Sequence, residues 1–282
     1  MDAIRRFNKP HLRRPRAILA FEGWNDAADS ASGSINYLLE ELHLEEPFAA
    51  IDPEEFYDFQ AHRPQVAVDD GGTRSLSWPM TRFFGASLQE DERDLLLVVG
   101  DEPSFRWKTY ARHITQVLVE NDVEEAVLLG AFIGQVSHQS PVPVVGVATD
   151  PAMVNELGLM KSSYQGPTGI VGVLLEACRE VGLPTLSLWA ATPHYLAANP
   201  NPKAMLALTQ AAGSALDLKI DLGRLDTMAN DFVERVDRAI ESSDDLKEYV
   251  DDLDGTENVL DPNASDELLG EIEDFLREQP DK

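Results

Sequence analysis

Four short polar segments carry the residue types that do chemistry. FEGWNDAAD (21–29) brings Glu22, Trp24, Asn25 and Asp26, and GDEPSFRWK (100–108) brings Asp101, Glu102, Arg106, Trp107 and Lys108. IGQVSHQS (133–140) brings Gln135, Ser137, His138 and Gln139, and residues 192–201 bring His194, Tyr195 and Asn199. Gathered in one cleft, such groups would suit proton transfer on a small anionic substrate. Arg106 would hold the anion, and Glu102 or His138 would act as general base.

Each group also has a structural reading. Asn25 and Asp26 are N-cap types, whose short side chains accept from the orphan N–H groups of a helix. Glu102 and Arg106 stand one helical turn apart and can pair with each other, which for an exposed pair is worth about 0–1 kcal/mol. Trp24 suits presentation to a partner, and Trp107 suits packing or an interface. Adjacency of Ser137 and His138 does not make a dyad. His194 is a lone histidine beside a tyrosine, and Cys178 has the apolar neighbours of a buried, inert thiol.

A fifth segment, SSYQGPTGIVG (162–172), contains Tyr164, Gly166 and Thr168. A helix start with free N–H groups binds anions. Glycines at 166, 169 and 172 equally let a helix approach a neighbour closely, and we prefer that reading. Thr168 is the expected cap.

Strong local signatures are missing. The sequence has no Walker loop, no G-x-G-x-x-G after a strand and no H-E-x-x-H. It also has no G-x-S-x-G elbow. A lone cysteine and six scattered histidines argue against a zinc centre. VDDLDGTENVLD (250–261) imitates a calcium loop, but Val250 holds its first ligand position and Asp261 its twelfth. We expect no metal and no cofactor.

The elements that would position these segments follow from periodicity. Continuous apolar runs at 16–21, 94–100, 126–133 and 185–190 read as strands covered on both faces. Residues 48–51 and 142–149 read as further strands. Helices are expected at 25–44, 104–121, 168–182 and 202–218. Residues 65–70 and 73–78 alternate around DDGG as a hairpin, and 80–87 extends this antiparallel part. Strands alternating with helices imply a parallel or mixed sheet covered on both faces, with ligands at the carboxyl edge. Residues 220–242 form an amphipathic helix through Leu222, Leu225, Met228, Phe232, Val236 and Ile240. Helical patches at 244–253 and 265–278 complete a C-terminal extension. The expected organisation is a basic arm (1–15), an α/β domain (16–219) and an acidic helical extension (220–282).

Composition narrows the partners. Acidic residues number 50 against 23 basic ones, for a net charge of −27. Nucleic-acid binding needs a basic face, so nucleic acid is excluded. Basic residues cluster in the first sixteen positions, where they suggest a docking arm, a solvated terminus or a contact with the acidic tail. The longest apolar run, 126–134, is too short to span a bilayer, which needs roughly 20 residues. One cysteine fits a reducing cytoplasm.

FEGWNDAADSASGSINYLLEEL, GDEPSFRWKTYARHI, LLGAFIGQVSHQSPVPVVGVATD and the run from YQGPTGIVG to NPNPKAMLAL together resemble the proteasome assembly chaperone 2 (PAC2) family in its actinobacterial form. The resemblance covers roughly residues 15–220. It implies a three-layer phosphorylase/hydrolase-like α/β fold with a mixed central sheet. It also implies a homo-oligomer, with a trimer favoured, and proteasome subunits or another protein client as partner. Relatives that dock on the proteasome ring use a C-terminal hydrophobic–tyrosine–any-residue tail. This chain ends EQPDK, so the resemblance does not carry that docking mode with it. The expected function is a non-enzymatic assembly factor, and the alternative is a hydrolase or phosphorylase-like enzyme.

Overall fold

Apolar runs with little polar interruption bury both faces, and four of them form the centre of the sheet. The computed structural model describes residues 3–69, 71–88, 92–162, 164–198, 200–241 and 250. The patches expected at 244–253 and 265–278 and the acidic loop at 250–261 lie, but for Val250, outside the described residues. In chain order the elements are β1 (Ile4–Arg6), β2 (Arg16–Glu22), α1 (Ser30–Glu41), β3 (Ala49–Ile51), β4 (Gln65–Val68) and β5 (Arg74–Ser77). Then come β6 (Thr81–Ala86), β7 (Leu95–Asp101), α2 (Trp107–Glu120), β8 (Glu125–Gly134), β9 (Val144–Ala148) and α3 (Pro151–Glu156). The last are β10 (Met160–Lys161), α4 (Ile170–Glu180), β11 (Thr185–Pro193), α5 (Pro202–Ala215) and α6 (Gly223–Ile240).

Among the described residues the main sheet has nine strands in the order β1-β3-β6-β7-β2-β8-β11-β9-β10. The central β7-β2-β8-β11 are mutually parallel. β6, β3 and β1 add antiparallel on one side, and β9 runs antiparallel to β11 on the other. The sheet is therefore mixed. Because the four central strands run the same way, the segments after each of them share one carboxyl edge.

Alternate residues of the central strands feed two cores. Ala17, Leu19 and Phe21 of β2 join Leu96 and Val98 of β7 on the face covered by α2 and α4. Ile18 and Ala20 join Leu95, Leu97 and Val99 on the face covered by α1, α5 and the start of α6. Leu225, Phe232, Val236 and Ile240 of α6 are buried as the amphipathic pattern requires, whereas Met228 is exposed.

The basic arm folds into the body. β1 pairs with β3, and Arg5, Arg6, Arg13 and Arg14 form ion pairs with Asp52, Glu120, Asp94 and Glu124. Burial alone would raise the Asp94 pKa. The Arg13 guanidinium and the N–H groups of Arg13 and Leu88 outweigh it and hold the carboxyl below its ordinary range.

Candidate functional site

The first corner follows β2. Gly23 turns the chain with φ +106°, a conformation that favours glycine. Asn25 then accepts from the Ala131 N–H at 2.8 Å, and Asp26 bridges to Ala131 of β8. A short 3-10 turn (Ala27–Asp29) leads into α1. Ala28 and Asp29 are both left-handed, at φ 54° and 46°. Asp26 Oδ1 accepts from the N–H groups of Ala31 at 2.6 Å and Ser32 at 3.2 Å. Asp26 thus caps α1 from outside the position next to the helix, because the 3-10 turn intervenes.

Glu102 follows β7 and spans to a different helix. Its Oε1 accepts from Asn25 Nδ2 at 2.7 Å and from the Ile170 N–H at 2.7 Å. A carboxylate at a helix N-terminus meets both the orphan N–H groups and the helix dipole. The anion position at the start of α4 is therefore filled by the chain's own side chain. Thr168, the expected cap, does not serve; Gly169 is the capping residue and has no side chain to offer. A methyl group on Gly169 would lie 2.6 Å from Glu102 Oε1 and closer still to the Asn25 amide. Close packing explains this glycine. Tyr164 donates to the Pro167 carbonyl at 2.8 Å and stays 60% exposed, with Gly166 against its hydroxyl.

Arg106 departs from expectation. It pairs with Glu55 at the surface and not with Glu102, since Glu102 is turned toward Asn25 and α4. Trp107 is half-buried and donates from Nε1 to the Pro103 carbonyl at 2.6 Å.

His138 belongs to a third contact. Tyr195 Oη accepts from the His138 backbone N–H at 2.8 Å and lies 2.8 Å from His138 Nδ1. With the backbone N–H already supplied, the tyrosine O–H donates to Nδ1. The imidazole then carries its hydrogen on Nε2, which donates to Asp237 Oδ1 of α6 at 2.9 Å. Burial alone would raise the Asp237 pKa, and the donors Gln139 and His138 pull it below its ordinary value. Lys203 Nζ donates to the carbonyls of His138, Gln139 and Ser140. Ser137 Oγ accepts from the Gln139 N–H at 3.2 Å and takes no part in a dyad. Asp237 escaped the sequence reading because it stands 99 residues from its histidine, and only its place on an amphipathic helix marks it.

Thus Asn25, Glu102 and Gly169 converge, Asp26 turns to α1, and Arg106 and His138 stand in separate contacts. Glu22 and Asp101 are directly paired in register at the ends of β2 and β7. Burial, then mutual repulsion and repulsion from Asp26 and Asp29, pushes the Glu22 pKa up. Burial also raises Asp101. Burial lifts Asp26 to about 6, against the pull of its N–H donors. Among the described residues a small enclosed space of about 10 Å³ is lined by Ser137, His138, Asn201 and Lys203, and two open grooves lie elsewhere. One of about 510 Å³ lies at the amino ends of β8 and β11, lined by Glu125, Asp150, Met153, Arg179 and Leu183. Another of about 400 Å³ lies between the N-terminal arm and α2. Neither is lined by a candidate residue. Among the described residues no group of three or more His, Cys, Asp or Glu side chains is arranged for a metal ion. No described helix is long and apolar enough to cross a membrane.

The PAC2 family profile matches residues 20–240. Among solved structures, a PAC2 family protein from Streptomyces avermitilis is 45% identical, with TM-score 0.77 over 84% of this chain and 99% of that one. A proteasome-assembly chaperone homologue from Mycobacterium tuberculosis is 37% identical, with TM-score 0.76 over 83% of this chain and 99% of that one. An archaeal proteasome activator from Pyrococcus furiosus shares the fold at 20% identity, with TM-score 0.65 over 84% and 98% of the two chains. No curated protein matches.

Proposed function

The chain belongs to the PAC2 family, and from that premise we propose a self-associating assembly factor that works through surfaces and does no covalent chemistry. One observation carries the proposal. The β4–β5 hairpin stands apart from the main sheet as a two-stranded sheet of its own. All eight of its strand residues are exposed. Val66, Val68, Leu76 and the following Trp78 are 40–62% exposed. An isolated two-stranded hairpin is marginal in water; Trp78 packs edge-on against Phe59 with ring centroids 4.8 Å apart, and the three large apolar side chains on the strands require cover. A second copy of the chain, in a trimer, supplies that cover in our reading. The proposed client is a protein assembly intermediate in the cytoplasm, with proteasome subunits first among candidates because the Mycobacterium relative is a proteasome-assembly chaperone homologue.

The enzyme alternative needs Glu22, Asn25, Asp26, Glu102, Arg106 and His138 around one cleft. Asn25 and Glu102 meet at the start of α4, Asp26 caps α1, Arg106 pairs with Glu55 and His138 with Asp237, and this dispersal supports the assembly reading instead. The test is the native mass of the full chain by light scattering, with the Val66→Ser/Val68→Ser/Leu76→Ser variant beside it. A multiple of 31.2 kDa that falls to the single-chain mass in the variant is the expected result. A monomeric wild type would overturn the reading.

A further inference from the structure

One face of the hairpin carries a charge as well as apolar side chains. Alternate strand residues share a face, so Val66 and Val68 point the same way. Leu76 stands directly opposite Val66 and Arg74 directly opposite Val68, which puts both on that face. Arg74 is exposed, and among the described residues it meets no carboxylate. Arg13, Arg93 and Arg224, by contrast, each meet one. Three large apolar groups beside such a cation fit an apolar stripe edged with acids. They fit a second hairpin less well, because it would bring another cation.

The sequence SDELLGEIEDFLRE (265–278) supplies such a stripe. Leu268, Leu269, Ile272, Phe275 and Leu276 recur at helical spacing, and on a helix Glu271 and Glu273 would flank them. The segment holds six acids against one base. Its point of departure is also suitable. The hairpin lies between the end of β3 and the start of β6, where Ile51 pairs with Thr81. Arg82 of β6 faces Val99 near the end of β7, so the hairpin springs from the carboxyl edge of the sheet. α6 ends at that same edge, since Asp237 in its last turn meets His138 after β8. The connection from α6 to position 265 is 24 residues long. A coil of that length spans about 25–30 Å, enough to reach a neighbouring copy that meets this edge.

We propose that residues 265–278 of one copy lie across the β4–β5 hairpin of a neighbouring copy, with the apolar stripe on Val66, Val68 and Leu76 and its flanking acids beside Arg74. This deepens the self-association reading, on which it rests, by naming the segment that makes the contact. Disulfide trapping in the full chain tests it. The natural Cys178 is buried, so introduced surface thiols report alone, and a disulfide forms only where two Cα atoms come within about 7 Å. Leu76→Cys and Phe275→Cys chains with different tags are co-expressed and oxidised. The expected product is a mixed dimer on a non-reducing gel, with neither variant linking to itself. The Leu268→Ser/Ile272→Ser/Phe275→Ser variant should fall to the single-chain mass, as the hairpin variant does. Arg74→Glu should raise the dissociation constant of the assembly about tenfold. A multimeric wild type without the mixed dimer would mean that another part of the chain covers the hairpin, and would overturn this inference while leaving self-association standing. A chain carrying both Leu76→Cys and Phe275→Cys that links within itself at the single-chain mass would assign the cover to the same copy and overturn it too. A single-chain wild type would instead defeat the self-association reading, and this inference with it.

Discussion

The corner at Asn25, Glu102 and Gly169 and the hairpin β4–β5 are built in opposite ways. At the corner, three chain segments meet without room for a methyl group, and one carboxylate oxygen serves two donors. At the hairpin, eight strand residues are exposed and the main sheet gives no ladder partner. Asn25, Glu102 and His138, among the residues that looked most like catalysts, are occupied in holding the fold. The residues that looked like ordinary strand formers are the ones left unsatisfied. Interaction is therefore better sought in apolar excess than in polar residue types.

The largest effects should come from the corner. Glu102→Ala orphans the Ile170 N–H and the buried Asn25 amide, at about 3 kcal/mol in urea denaturation. Glu102→Gln keeps an acceptor and should lose only about 0.3–1 kcal/mol, the helix-dipole share. Gly169→Ala should cost about 2–3 kcal/mol by overpacking alone, since φ at Gly169 is −90° and any residue adopts it. If either substitution leaves the midpoint unchanged while hairpin substitutions lower it, the comparison is reversed.

Asp26 gives a change of opposite sign. Its folded pKa of about 6 lies above the ordinary aspartate value, so the folded state binds more protons across that interval. Stability therefore falls as pH rises from about 4 to about 6 and is level above. Asp26→Asn keeps an acceptor for Ala31 and Ser32 but cannot ionise. It should be more stable than wild type above pH 6, by up to about 3 kcal/mol, with the gain vanishing near pH 4. A pH-independent difference between the two proteins in thermal melts would contradict the buried charge.

His138→Ala tests a contact of intermediate size. It removes the imidazole from Tyr195 Oη and from Asp237, leaving the His138 backbone N–H and the Gln139 amide in place, and should cost about 1–2 kcal/mol. The loss should be local, with thermolysin cutting near α6 before the central strands unfold. Cutting at the same rate as wild type would mean that the apolar face of α6 alone fixes the helix.

Much of this architecture was legible because it depends on local pattern. The apolar runs located β2, β7, β8 and β11, DDGG located the hairpin, and spacing placed α1, α2, α4, α5 and α6. Short elements were not legible: IRR of β1 has one apolar residue, and PAMVNE of α3 is too brief for a period. Nor does a strand's own pattern say that β9 runs antiparallel. The site failed for a related reason. Glu102 could be placed at the sheet edge, but its partners stand 77 and 68 residues away. Arg106 had a nearby acid at hand and chose one 51 residues distant. Residue type is local information, whereas side-chain partnership is tertiary.

Arg106 should give the smallest effect. It is left-handed, at φ 57°, at the start of α2, a conformation that costs a non-glycine residue about 1–2 kcal/mol. Arg106→Gly removes that strain, adds about 0.5–1 kcal/mol of backbone entropy, and loses an exposed pair with Glu55 worth about 0–1 kcal/mol. These contributions nearly cancel, so the melting temperature should stay close to that of wild type. Arg106→Lys keeps the strain and the charge but not the planar fork, and should also change little. An anion-holding arginine would behave differently: inorganic phosphate would raise the wild-type melting temperature, and both variants would lose that shift. Equal melting of all three proteins with and without phosphate would fix Arg106 as a turn residue that a surface ion pair tethers, on the occupied side of the contrast between corner and hairpin.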